Sequence, residues 1–80
     1  MLSYSFTAYF EQRVLVKRPY IQREWCIRVI ESPLVVAREP SGRYRFWAAV
    51  PELQGRYLRV VTLGDRVTVH NAFPDRGFRS

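Results

Sequence analysis

Residue types that build covalent or metal-bound sites are scarce in this sequence. Its 80 residues include one cysteine, Cys26, and one histidine, His70. A single thiol cannot close an intramolecular disulfide, and one cysteine with one histidine cannot form a Cys/His zinc cluster. The seven carboxylates show no metal-loop spacing, and the four glycines are too isolated to form a phosphate-binding loop. We therefore expect no metal and no cofactor, and we expect Cys26 to be a buried, inert thiol.

Long hydrophobic runs are also missing. No apolar stretch approaches the ~18 residues that a membrane-spanning helix needs. The first six residues lack the basic start and the apolar segment of a secretory signal. These absences predict a cytoplasmic protein that does not contact a membrane.

Positive charge is the main compositional feature that is present. The chain has 13 lysines and arginines against 7 acidic residues, a formal net charge of +6, and Lys17 is the only lysine. Arginine binds phosphate and carboxylate groups through a planar fork of donors, so the excess favours a polyanionic partner. The alternative is that individual arginines are solvated surface charges with little energetic effect.

Length and composition indicate one domain spanning residues 1–80. Hydrophobic residues make up 48% of the chain and aromatic residues 15%, which is a globular composition with enough large side chains for one small core. The polar stretch 74–80 is expected to be a flexible tail.

Helical periodicity occupies the first part of the chain. After a short strand at Tyr4–Phe6, Thr7 can cap a helix of about residues 8–16, which Lys17-Arg18-Pro19 ends. A second amphipathic helix is predicted at about residues 21–31, ending before Pro33.

A period of two follows Pro33 and predicts consecutive strands. The strands and the loops between them are expected at Leu34–Arg38, Arg43–Val50, a loop at Pro51–Arg56, Tyr57–Leu63, a two-residue hairpin turn at Gly64–Asp65, and Val67–Phe73. The order predicts an α+β fold with two N-terminal helices packed on one face of a mostly antiparallel sheet of four or five strands. The predicted core consists of Trp25, Val29, Phe46, Val60 and Val69.

Strand alternation sorts these side chains onto two sheet faces. The more apolar face receives Tyr44, Phe46, Ala48, Val50, Leu58, Val60, Thr62, Val67, Val69 and Phe73. The other face receives Arg43, Arg45, Trp47, Tyr57, Arg59, Thr68 and His70. Arginines, aromatic rings and the only histidine thus collect on one side, provided that no bulge exchanges the faces.

Such a face suits single-stranded RNA, because arginine neutralises phosphate and aromatic rings stack on bases. RNA cleavage by the 2′-hydroxyl requires cations near the phosphate and groups that move protons, and it requires no metal. We assign Arg45, Arg59 and His70 as candidate catalytic residues. The candidate RNA-binding residues are Lys17, Arg18, Arg43, Trp47, Tyr57 and Arg76. The alternative is that His70 makes an ordinary structural hydrogen bond and Trp47 covers the core.

Several segments resemble a known group of bacterial proteins. They are Phe6–Arg18, Ile21–Pro33, Arg43–Trp47, Tyr57–Val61 and Thr68–Arg76. Together they are similar to BrnT-like proteins and, more distantly, to RelE-type toxins. The resemblance implies a RelE-like fold, RNA cleavage and, in many members, an antitoxin protein as partner. The RNA that it acts on is either free or associated with the ribosome.

The residues that match this group are basic. Arg45, Arg59 and Arg76 correspond in type to its sheet and C-terminal residues, with Lys17 and Arg18 on the connection between the helices. Relatives often carry a histidine in the first helix, where this chain has Tyr9. Two other functions stay open: a non-catalytic module of the same fold that binds nucleic acid or an acidic protein, and an interaction protein that forms a homodimer through the sheet face.

Overall fold

Residues 3–79 form an α+β fold with two helical segments and one five-stranded mixed sheet. The structure is a computed structural model that describes residues 3–79. The strands are β1 (Ser5–Phe6), β2 (Val35–Arg38), β3 (Tyr44–Ala49), β4 (Tyr57–Thr62) and β5 (Thr68–Pro74). The first helical segment spans residues 8–17, with a π-helical stretch at Phe10–Val14 and a short α-helix, α1, at Leu15–Lys17; α2 is Arg23–Glu31.

The first helical segment begins and ends where its sequence predicts. The Phe10 N–H donates to Thr7 Oγ1 at 3.1 Å, so Thr7 satisfies one of the free donors at the helix start. At the other end Arg18 leaves the helical conformation, with φ −130° and ψ 70°. The cause is Pro19, which disfavours a helical residue before it and has no N–H of its own.

Helix α2 begins two residues later than its periodicity predicts. Gln22 is extended, with φ −98° and ψ 141°, so the helix starts at Arg23, although Ile21 is buried as expected for the inner side. Trp25, Cys26 and Val29 face the core. No helix in the described residues is long and apolar enough to cross a membrane.

The strand order of the sheet is β1-β5-β4-β3-β2. Strand β1 pairs with β5 in parallel, and the other three pairings are antiparallel. The predicted loop after β3 contains one 3₁₀ turn at Pro51–Leu53. Strand β2 lies at the edge of the sheet that is farthest from β5.

One buried cluster joins side chains from both helical segments and the sheet. All five predicted core residues belong to it, which confirms that prediction; they are Trp25, Val29, Phe46, Val60 and Val69. The other members are Phe10, Val14, Ile21, Cys26, Val50, Leu53, Leu58 and Ala72. We call the sheet face that carries Phe46 and Val60 the inner face, and the opposite one the outer face.

A β-bulge in β5 changes which side chains reach each face. Val61 pairs with Asn71, but the next residue of β4, Thr62, pairs with Val69, so His70 is an extra residue in β5. Ala72 is consequently buried on the inner face, and Phe73 lies opposite Arg59 on the outer face. The prediction that Phe73 joins the apolar face is wrong, because uninterrupted alternation does not hold across a bulge.

The turn between β4 and β5 is longer than the predicted Gly64–Asp65 hairpin. Leu63 N–H donates to the Thr68 carbonyl at 2.9 Å, which leaves the four residues 64–67 in the loop. Asp65 stabilises this loop, because its Oδ1 accepts hydrogen bonds from the N–H groups of Val67 and Thr68 at 3.0 and 2.9 Å. Arg66 has φ 66°, a left-handed conformation that a two-residue turn at 64–65 would not require.

Candidate nucleic-acid interface

A cleft of about 560 Å³ lies between the first helical segment and the outer side of β5. Three cationic residues line it: Arg13, Lys17 and Arg18. Within the described residues 3–79, no carboxylate lines this space. Asn71 and Phe73 contribute from β5. We call it the basic cleft.

The helical wall of the basic cleft is built around the π-helical stretch. Phe10 and Val14 are buried and anchor the stretch to the core, whereas Gln12 and Arg13 are exposed and line the cleft. The π-helix is rare in proteins, appears mostly as a single turn inside an α-helix, and is frequent at functional sites. The break before Pro19 places Lys17 and Arg18 at the end of this wall.

Phe73 connects the basic cleft to the outer face of the sheet. The Arg18 guanidinium carbon lies 5.7 Å from the centre of the Phe73 ring, and that of Arg59 lies 4.8 Å from it. Both distances allow cation–π attraction. Because the bulge turns Phe73 outward, this arrangement depends on the extra residue at His70.

His70 is held beside the basic cleft by two contacts. Its Nδ1 lies 3.1 Å from Thr7 Oγ1, and its ring stacks on Tyr9, a residue of the cleft wall, with centroids 4.8 Å apart. Burial, and secondarily the charge of Arg43, lower the pKa of His70 below its ordinary value. The imidazole is therefore neutral at pH 7 and has one nitrogen that can accept a proton.

Arg45 and Arg59 share the outer face but each is paired with a carboxylate. Arg45 Nε donates to Glu39 at 2.5 Å, and Arg59 donates to Asp75 at 3.1 Å. The hydrogen bond from Arg45 is the main cause of the lowered pKa of Glu39. His70 is on β5 and Arg45 is on β3, with β4 between them. Two strand spacings of ~4.8 Å separate their backbones by about 10 Å. Sequence reasoning missed both carboxylate partners.

Trp47 lies beneath the C-terminal segment. It is 7% exposed, its Nε1 donates to Asp75 Oδ2 at 2.9 Å, and Phe78 stacks on its ring with centroids 5.1 Å apart. The hydrogen bond from Trp47, followed by that from Arg59, lowers the pKa of Asp75. This burial fits the interpretation in which Trp47 is a covering residue. The flexibility of residues 74–80 stays a prediction; Pro74 closes β5, and Ser80 lies outside the described residues.

The remaining predicted residues lie in several places. Lys17 and Arg18 line the basic cleft, Arg43 is exposed at the start of β3, and Tyr57 and Arg76 border a second hollow at the end of β5. Sequence reasoning missed the cleft residues Tyr9, Gln12, Arg13, Asn71 and Phe73. The only signal for the first three was their position on one side of a helix, and nothing in the sequence related that side to β5.

The structure also describes the environment of the cysteine and the grouping of side chains that could bind a metal ion. Cys26 is fully buried, which confirms that part of the prediction, and burial raises the pKa of its thiol to about 12. In the part of the chain that the structure describes, no three His, Cys, Asp or Glu side chains are grouped closely enough to hold a metal ion.

No protein-family model, curated protein or solved structure matches this chain. The resemblance to RelE/BrnT-like proteins therefore stays a prediction from the sequence.

Proposed function

We propose that this protein binds single-stranded RNA in the basic cleft and cleaves it there, as a small toxin-type ribonuclease of the RelE/BrnT-like kind. The observation that carries the proposal is a cleft with three cationic residues and, in the described chain, no carboxylate in its lining. RNA offers both a row of phosphates for the cations and unpaired bases for the aromatic rings.

The cleft provides both kinds of contact. Arg13, Lys17 and Arg18 would neutralise phosphates, which releases counterions and gives affinity without sequence preference. Tyr9 is 48% exposed, so its ring has free surface on which a base can stack. Single strands fit this arrangement better than duplexes, whose bases are already stacked on one another.

The proposed reaction uses the RNA's own 2′-hydroxyl as nucleophile. The 2′-oxygen forms a bond to the adjacent phosphorus while the bond from phosphorus to the 5′-oxygen breaks, which leaves a 2′,3′-cyclic phosphate and a 5′-hydroxyl. His70 would accept the 2′-hydroxyl proton at Nε2, in the tautomer whose Nδ1–H donates to Thr7 Oγ1. A proton from solvent or from the resulting imidazolium goes to the 5′-oxygen. Lys17 and Arg18 would stabilise the charge on the phosphorane.

The RelE-like interpretation also specifies the setting of this reaction. It assigns both helical segments to the inner face, RNA at the ribosome as substrate, and an antitoxin as the partner that suppresses activity in the cytoplasm. An acidic antitoxin would complement the net charge of +6.

A non-catalytic RNA-binding module is the second candidate. It is favoured by the ion pairs of Arg45 and Arg59, because these two of the three predicted catalytic residues each bind a carboxylate of the protein. It is also favoured by the contacts of His70 with Thr7 and Tyr9, which suit a structural histidine.

The deciding experiment incubates the purified protein with single-stranded RNA in the presence of EDTA and analyses the product ends. The proposal expects 2′,3′-cyclic phosphate ends, a much lower rate in His70→Ala, and loss of binding in the Lys17→Ala/Arg18→Ala double variant. Arg38→Ala is the matched control, because Arg38 is an exposed arginine on β2, far from the cleft. Binding without cleavage by the unaltered protein, on free RNA and on ribosome-bound RNA alike, establishes the second candidate, and no binding at low salt refutes both.

A further inference from the structure

A second hollow lies at the end of β5, near the Phe73 side chain that lines the basic cleft. It is formed by the turn after β3, the end of β5 at Pro74, and the segment that follows Pro74. Its volume is about 230 Å³. Pockets for drug-sized ligands are larger, roughly 300–1,000 Å³, so this hollow fits a single planar ring group rather than a whole cofactor.

Aromatic side chains form the wall of the hollow. Tyr57 and Phe78 meet edge to face, with ring centroids 5.0 Å apart and an angle of 64° between the ring planes. Both side chains are half-buried and keep exposed surface. Phe78 is supported from behind by Trp47, whose ring is nearly parallel to it at 15°. An aromatic wall of this kind is the usual platform for stacking a nucleobase.

The charges around the hollow suit a nucleotide. Arg56 and Arg76 are exposed and line the hollow. Arg56 Nε also donates to the Leu53 carbonyl at 3.1 Å, which holds its guanidinium at this turn. Among residues 3–79, the only carboxylate in the lining is that of Asp75, and its charge is offset by the ion pair with Arg59. A phosphate beside the ring group would therefore meet net positive charge.

The hollow and the basic cleft are adjacent along β5. Phe73 lines the cleft, and Asp75, two residues later, lines the hollow. Arg59 links the two places, because its guanidinium contacts the Phe73 ring at 4.8 Å and Asp75 at 3.1 Å. Two positions along the chain span about 7 Å at ~3.3 Å per residue, so neighbouring nucleotides of one RNA strand can occupy both places.

We infer that this hollow is a base-binding subsite, which holds one nucleobase of an RNA strand whose phosphates lie in the basic cleft. Tyr57 and Phe78 stack on the base, and Arg56 and Arg76 contact its phosphate. This inference rests on the proposed RNA binding and adds to it a contact that depends on the base. The substrate is accordingly a single strand with an unpaired, accessible base beside the bound phosphates.

The test compares two short labelled oligonucleotides that have the same number of phosphates. One is RNA, and the other carries abasic sites in place of its bases. Base stacking is worth enough to make the RNA bind about 5- to 150-fold more tightly than the abasic strand. Fluorescence anisotropy titrations of the full chain measure both affinities under the same salt conditions.

The variants separate the subsite from the cleft. Phe78→Ala and, independently, Tyr57→Leu should reduce the advantage of the RNA over the abasic strand to a few-fold and leave affinity for the abasic strand unchanged. Phe78→Tyr should retain the advantage. Tyr20→Ala is the matched control, because Tyr20 is an aromatic residue that is 46% exposed and lines neither the hollow nor the basic cleft.

The outcomes distinguish this inference from the proposed function. Equal affinity for the RNA and the abasic strand, with steep salt dependence for both, overturns the base-binding subsite and leaves RNA binding by the cleft intact. A base advantage that persists in both Phe78→Ala and Tyr57→Leu also overturns it. No binding of either strand at low salt overturns both proposals.

Discussion

The salt dependence of RNA binding tests the basic cleft most directly. Three cationic residues line the cleft, and each phosphate contact on a single strand contributes about −0.7 to the slope of log affinity against log salt concentration. Three contacts in the cleft therefore contribute about −2 to the slope, so through them alone a tenfold increase in salt should weaken binding about a hundredfold. Fluorescence anisotropy titrations of labelled single-stranded RNA between low and moderate potassium chloride measure this slope.

Lys17→Ala is the most informative substitution for this test. Lys17 is exposed and lines the cleft, so its removal should lower the magnitude of the slope by about 0.7 with little effect on the fold. Arg18→Ala should lower the magnitude of the slope similarly, but this substitution also removes the contact with Phe73, so its effect has two causes. Arg38→Ala, on β2 at the other edge of the sheet, should leave the slope unchanged. Equal slopes for the Lys17→Ala variant and the unaltered protein would show that RNA does not occupy the cleft.

Three further predictions concern the core, the histidine and pH. Trp25→Ala should destabilise the fold by about 3–5 kcal/mol, because Trp25 is packed in the core at 9% exposure; unchanged urea denaturation would contradict this packing. If His70 moves a proton, His70→Ala should lower the single-turnover cleavage rate by about 10²–10⁴-fold, and a normal rate in His70→Asn would exclude that role. Because the pKa of His70 is lower in the folded chain than in the unfolded chain, the unfolded chain takes up a proton at a higher pH than the folded chain does. The stability that neutral His70 contributes is therefore complete above about pH 6.5 and is lost as pH falls through the folded-state pKa. Denaturation curves at pH 7.5 and pH 5 should show this loss, and His70→Asn should remove it.

Local chemistry determined most of the secondary structure and the centre of the core. Pro19 and Pro33 each end the helical segment before them, because the residue before a proline is disfavoured in a helix. Alternation of apolar side chains identified four strands within one residue of their observed ends. The same alternation selected Phe46 and Val60 for the inner face, since β3 and β4 pair in uninterrupted register.

The pairing of β4 with β5 decided features that the alternation of side chains in one strand cannot predict. The extra residue in β5 is visible only when its partner β4 is known, because a bulge is a mismatch between two strands. That mismatch moved Phe73 to the outer face and Ala72 to the inner one. The longer β4–β5 turn likewise depends on which residues pair at its base, and on the side chain of Asp65 that satisfies the N–H groups of Val67 and Thr68.

The candidate site divides in the same way. Its positive charge, including Lys17 and Arg18, follows from composition and from the break before Pro19. Folding decided which arginines are free to bind a ligand, because the ion pair of Arg59 with Asp75 joins residues 16 positions apart. Folding also placed His70, whose ring stacks on Tyr9 from the other end of the chain. The range of the forces explains the division. Backbone preferences act between neighbours and can be seen in a short window of sequence, whereas a cleft, an ion pair or a stacked ring requires distant segments to meet in the folded chain.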